Sequence, residues 1–261
     1  MDKKYKILPE TKRKLANGRT VFRIQALRNF SDVKEGDIGG WIESEKNLSQ
    51  KGNCWIYDNA IVTHSARVMD DAKIQNDVMI ADSALILENA LIRNNAAVHN
   101  SASVCGNAVV EDDVTIVDNA HICDYSHIQD YAFIHDNAII TGYAKVMDNA
   151  EVFNNSRISG FTTIFENARI YHNGNDIICG NIGDDAFITS VYEDIFYTEI
   201  GKFNLTAYRT NYGFMICYYN EFGKYICIDP KYFKRVIRTL YKGKRRKLLL
   251  KTYRVIKEYF K

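Results

Sequence analysis

From Ala60 to Ala168, every sixth residue is small: fourteen Ala, two Val, two Ser and one Thr. From Val62 to Ile170, the nineteen residues at the same step are all Val or Ile. A helix turns every 3.6 residues and cannot hold this pattern on one face, so a fixed repeat sets the fold. The small residue and the aliphatic two places on point the same way, because strand side chains alternate. The residue before the small one is commonly Asn, Asp or Ser, as at Asn59, Ser65, Asp71, Asn89, Asn107, Asn137 and Asn149. These residues tolerate left-handed backbone and bond to it locally. Each unit therefore reads as a short strand followed by a corner. Three units close a triangular coil of eighteen residues, and coils stack as parallel strands about 4.8 Å apart.

The register extends over 48–190, out to Leu48 and Cys54 at one end and to Ile182, Ala186 and Ile188 at the other. Within it NGNDIICG (173–180) places Asp176 where an aliphatic belongs, which predicts a loop or a distorted coil. About eight coils give a prism about 40 Å long. The pattern resembles the hexapeptide-repeat, left-handed parallel β-helix superfamily over 48–190. The stretch GDIGGWIESEKNLSQKGNCWIYDNA (36–60) is similar to the entry segment of uncharacterised bacteriophage and prophage hexapeptide-repeat proteins, some of them labelled transferases. That resemblance implies fold and a phage context rather than an activity. For the superfamily it implies self-association, with a homotrimer favoured.

The flanks read differently. Asn17-Gly18 is a hairpin signal inside 1–47, which is expected to form a small β cap over the open first coil. Gly39-Gly40 reads as a tight turn. Between 194 and 229 four alternating runs predict antiparallel strands with turns at 211–213 and 221–223. Pro230 opens a helical stretch that Gly243 breaks in two. The fold class is thus mainly β: a left-handed parallel β-helix over 48–190, an N-terminal β cap over 1–47 and a C-terminal α+β domain over 191–261.

Charge changes the picture more than composition does. The net charge of +2 conceals 13 Lys/Arg and one Glu in 231–261, against 7 Lys/Arg and 19 Asp/Glu in 48–190. An acidic body with a basic tail either pairs with itself or addresses an anionic partner. KGKRRK (242–247), with Lys244, Arg245, Arg246 and Lys247, suits nucleic acid, an acidic membrane surface or an acidic protein. No run of 18 apolar residues exists, and MDKKYKILPETKRK lacks an apolar signal core, so a cytoplasmic protein with reduced thiols is expected.

With an eighteen-residue coil, positions 18 apart are stacked neighbours. Cys105 and Cys123 are such a pair, with His121 on the same face, and three soft ligands in one patch suit Zn²⁺. The plainer reading is an apolar contact face with Leu85, Leu87 and Ile139. Adjacent coils also permit a disulfide, which a reducing compartment opposes. Asp112, Asp130, Asp148 and Glu166 form an acidic column, a candidate cation ladder or a solvated corner. Tyr125, Tyr143 and Phe161 form an aromatic column that either stacks a planar ligand such as a nucleotide or stacks on itself. Hexapeptide acyltransferases use an acid-paired histidine at a subunit interface. The candidates here are His99 and His135, in one outward column two coils apart, with His64, His121, His127 and His172 as others. No Walker loop, GxSxG, HExxH or GxGxxG occurs.

The leading expectation is a non-catalytic, self-associating phage-type solenoid. It would bind a host-derived ligand, either a small nucleotide or signal molecule or a host macromolecule (protein or nucleic acid), without a cofactor. The alternatives are an acyltransferase using acetyl-CoA and a nucleic-acid binder acting through 231–261.

Overall fold

The computed structural model describes residues 3–177, 180–183, 185–188, 194–200, 203–210, 213–219 and 225–260. The repeat forms a parallel β-solenoid of the left-handed β-helix type. Two-residue strands recur every six residues, and each pairs in parallel with the strand 18 residues away, as Ala97-Val98 does with Thr115-Ile116. Three faces result. The first carries Met79, Ala97, Thr115, Phe133, Glu151 and Arg169 outward. The second carries Arg67, Leu85, Ser103, His121, Ile139 and Arg157. The third carries Lys73, Leu91, Val109, His127, Lys145 and Thr163.

The core follows from the repeat. From Ala60 to Ile170 every small and aliphatic repeat position is fully buried. Where Ala is replaced by a polar residue, its hydroxyl is satisfied by a carbonyl, so the departure is tolerated. Ser126 donates to Cys123 O at 2.7 Å, Ser156 to Ile170 O at 3.2 Å, and Thr162 to Ile177 O at 3.0 Å.

The corners differ from the expectation in one respect. The left-handed residue lies two places before the small one, at Asp58, Asn76, Asp118, Asp136 and their equivalents, with φ of 48°, 61°, 60° and 56° at these four. Its side chain accepts the N–H of its counterpart one coil on, as Asp58 Oδ2 does from Asn76 at 2.9 Å and Asp136 Oδ2 from Asn154 at 2.9 Å. The residue next to the small one instead faces out and builds amide ladders such as Asn119–Asn137–Asn155. The acidic column has the same corner role: Asp130 accepts from Asp148 N–H and Asp148 from Glu166 N–H.

Within the interruption, the described residues form a distorted coil, with one residue inserted between Asn173 and Asp176. Arg157 pairs with Asp176 and Ile158 with Ile177, a shift of one that buries Ile177 at 3% exposure. Register is restored by Asn181-Ile182 and Phe187-Ile188.

Both ends of the solenoid are covered. Residues Tyr5–Lys14 and Thr20–Ala26 form an antiparallel hairpin, and the second strand pairs with Ile38–Ile42, which adds in parallel to the first face. Gly39-Gly40 is therefore inside a strand, not in a turn. A Cβ on Gly39 would lie 2.6 Å from the Trp55 ring, and one on Gly40 would lie 2.6 Å from Ala60 O, so glycine is required by close approach to the first coil. At the far end four antiparallel strands, Ile195–Ile200, Phe203–Thr210, Gly213–Tyr219 and Tyr225–Ile228, form a separate sheet. Of the turns anticipated between the last strands, 211–212 and 221–223 lie outside the described residues, while Gly213 already begins the third strand. Tyr208 and Cys217 join the solenoid core, while Leu205, Ala207 and Ile216 pack on helices α1 (Pro230–Leu240) and α2 (Gly243–Tyr259).

Replacing Gly40 by Ala should destabilise the protein by about 1–3 kcal/mol through overpacking. Replacing Ile116 by Ala should cost about 2–5 kcal/mol through the cavity it leaves. Urea denaturation of each variant against the parent measures both.

Candidate active site on the first face

Histidines occupy outward positions because every inward position is claimed by the repeat. His99 and His135 do lie in one column, separated by Val117, and the structure does not bring them together. Each has its own carboxylate. His99 Nδ1 is 3.9 Å from Asp82 Oδ2, and His64 Nε2 is 3.8 Å from Asp82 Oδ1. Burial holds the His99 pKa below its ordinary value, Asp82 opposes that, and His64 adds to it.

His135 is the more constrained. Its Nε2 lies 3.0 Å from Glu151 Oε1, and its Nδ1 lies 3.5 Å from Asp136 Oδ2. The imidazole is stacked between Phe133, at 4.3 Å and 24°, and Phe153, at 5.0 Å and 11°. Tyr171 continues the column below Phe153 at 5.2 Å. Glu151 is shared with Arg169, whose guanidinium lies 5.3 Å over the Phe153 ring. Burial tends to raise the Glu151 pKa, but the hydrogen bonds from Arg169 and His135 outweigh it and hold the carboxyl below its ordinary value. The carboxylate therefore stays ionised and orients the ring. Asp118, His135 and Asp136 also place one ligand atom each within 4.8 Å of one another.

A second His–Glu–Arg chain lies on the third face. His127 Nε2 is 2.6 Å from Glu111 Oε1, and Arg93 pairs with the same carboxylate. Burial is again outweighed, here by hydrogen bonds from His127 and Arg93, and the Glu111 pKa falls. Glu111, Glu151, Arg93 and Arg169 escaped the sequence reading. Their signal is the coil period: Glu111 and Arg93, like Arg169 and Glu151, are 18 apart, and both His–Glu pairs are 16 apart.

The remaining candidates fall into separate places. Tyr125, Tyr143 and Phe161 stack on one another at 5.0 Å and near-parallel, on the corner after the second face. At that separation no planar ligand enters between the rings, leaving only the column's outer surfaces. Lys244, Arg246 and Lys247 are exposed at the start of α2, and the side chain of Arg245 lies outside the described residues. Among the described residues none of the three exposed cations is ion-paired to the solenoid. Cys105 and Cys123, expected to be free thiols, are joined as a disulfide with Cα atoms 4.7 Å apart, since parallel strand spacing sets two outward cysteines of adjacent coils at bonding range. His121 lies beside them, its Nε2 3.9 Å from Cys105 Sγ. The His172 side chain lies outside the described residues. Two surface hollows, one lined by Asn53, Lys73 and Leu91 and one by Tyr232, Arg235 and Leu240, contain no histidine. No helix among the described residues is long and apolar enough to cross a membrane.

No protein-family model matches the chain. The uncharacterized acetyltransferase YdcK of Escherichia coli (strain K12) is 45% identical over 47 residues, which is 18% of this chain and 14% of that protein. The match thus spans a small part of either chain. With the β-solenoid, it fits a hexapeptide-repeat superfamily.

His99 gives a pH signature. Its folded pKa lies below the value near 6.5 of an unfolded histidine, so the unfolded chain takes up the proton first as pH falls. The stability His99 contributes is present above that value and declines below it. Thermal melts between pH 7.5 and pH 5, with pH values about these, should show a drop in Tm that His99→Gln reduces.

Proposed function

We propose that the protein is an acyltransferase of the hexapeptide-repeat kind, with His135 as general base on a first face that a second copy of the chain covers. The observation that carries this reading is the His135–Glu151 pair, set between two aromatic rings on a flat face. With Glu151 accepting the Nε2–H proton, Nδ1 keeps the lone pair that removes a proton from an acceptor hydroxyl or amine. The acceptor then attacks the thioester carbonyl of acetyl-CoA, the C–S bond breaks, and the departing thiolate takes the proton back from the imidazolium. Glu151 on one side and Asp136 on the other stabilise the imidazolium that forms in between. The exposed Phe133 and Tyr171 provide apolar area for the covering copy, which would exclude water from the base. A trimer, the arrangement the superfamily resemblance implies, provides such covered faces. The short match to an acetyltransferase supports the same reaction class.

Thiol release from acetyl-CoA, followed with a panel of small hydroxyl and amine acceptors, tests this reading. His135→Ala should lower kcat by about 10²–10⁴-fold. Glu151→Gln should also lower kcat while leaving the fold intact by circular dichroism. Turnover unaffected by both substitutions would overturn the assignment.

A second reading is non-catalytic binding of an anionic partner such as a nucleic acid. It is favoured by Lys244, Arg246 and Lys247, exposed in the first turns of α2, where no acidic residue offsets the positive helix end. Under it, affinity for a labelled single-stranded oligonucleotide falls steeply with salt. Each Lys or Arg→Ala substitution at these positions should reduce the log–log salt slope by about 1.

A further inference from the structure

The second face carries a cluster that neither reading uses. Cys105 and Cys123 stand on adjacent coils, and His121 precedes Cys123 by two residues on the same face. One ligand atom from each lies within 4.8 Å of the other two. His121 Nδ1 is 2.7 Å from Ser103 Oγ, its strand neighbour, and Nε2 is turned toward Cys105 Sγ. A disulfide needs neither His121 nor Ser103. A metal needs both: an imidazole ligand is normally held by a partner on its second nitrogen, which fixes its orientation and the nitrogen that carries the lone pair. Ser103 Oγ accepting from Nδ1–H leaves Nε2 free for a cation.

We propose that Cys105, Cys123 and His121 bind a thiophilic divalent cation, zinc being the representative, when the two thiols are reduced, and that their oxidation to the disulfide expels it. Two thiolates and one neutral imidazole match the Cys/His donor sets of zinc, with the fourth position open to solvent. Two negative charges balance the dication, so the complex adds no net charge to a face flanked by Leu85 and Ile139. Strand register supplies the placement: the two cysteines are locked one coil apart whether reduced or oxidised, so the change needs no rearrangement of the backbone.

The redox step balances with a small disulfide such as oxidised glutathione as oxidant. Its S–S bond breaks and it accepts two electrons, giving two thiolates. Cys105 and Cys123 lose those two electrons, their S–S bond forms, and the dication is released with its charge unchanged. The site is independent of the acyl-transfer reading and is tested without any turnover.

The full-length protein, reduced anaerobically with a phosphine and desalted, is titrated with Co²⁺. The proposal expects one cobalt per chain, a thiolate-to-cobalt charge-transfer absorption and a tetrahedral ligand-field spectrum, all displaced by Zn²⁺. Oxidised glutathione should abolish the absorption and release the metal. Cys123→Ser, whose side chain faces outward and leaves the core untouched, should abolish the charge-transfer band. Ser103→Ala should weaken binding by about 10–100-fold. Reduced protein that is folded by circular dichroism yet shows no thiolate-to-cobalt band would overturn the proposal. So would cobalt binding that survives Cys123→Ser undiminished.

Discussion

The structure depends on the register between coils. Alternate backbone N–H groups along each short strand find their carbonyls in the next coil, as Thr115 N–H does at Ala132 O and Val117 N–H at Ile134 O. Most of the strands are only two residues long, so no such strand pair is stable alone. The stack holds because the same offset is satisfied at many corners as well, where an Asp or Asn side chain accepts the N–H of its left-handed counterpart. A slip of one residue would bring outward side chains into the core and remove both sets of bonds. At 173–177 the chain inserts one residue and recovers within the same coil, because only the recovered register returns Ile182 and Ile188 to the interior.

Register also organises the outer surface. Outward side chains stack in columns at strand spacing, so chemistry arises from neighbours that are 16 or 18 apart in sequence. Tyr125, Tyr143 and Phe161 become a stacked ladder. Glu151 meets His135 above and Arg169 below, and the hydrogen bonds it accepts from both keep the carboxylate ionised despite partial burial. Cys105 and Cys123 are set one above the other by the same rule. The flat faces thus hold rigid, preorganised pairs, and enclosure of any of them requires a surface from outside the coil.

A solenoid leaves an open edge at each end, and this chain covers both. The N-terminal hairpin continues the first face, held by the buried Tyr5, whose hydroxyl donates to Leu48 O at 2.7 Å, and by Lys4. Burial depresses the ammonium of Lys4, and its contact with Cys54 partly offsets that effect. At the other end, one face of the antiparallel sheet closes the core with Tyr208 and Cys217, and the other takes α1 and α2. Among the described residues, Lys244, Arg246 and Lys247 are displayed on α2 and none of the three is ion-paired to the acidic coils.

The repeat made the fold legible. A small residue and a branched aliphatic at a period of six admit one economical packing, so the sequence alone determined the solenoid, its inward residues, the antiparallel strands and the helix break near Gly243. It also determined that His99 and His135 share a column and that Cys105 and Cys123 are neighbours, since these follow from counting by 18. What it left open depended on side-chain reach. Gly39-Gly40 reads locally as a turn, and only the approach of Trp55 and Ala60 shows it to be a strand. The corner residue that turns left-handed is set by which side chain meets the next coil's N–H, and that is a contact between coils. Whether His135 faces Glu151 or solvent, and whether Glu151 is shared with Arg169, was decided by the tertiary structure. Hydrogen-bond partners there are chosen by distances of a few tenths of an ångström, which periodicity does not encode.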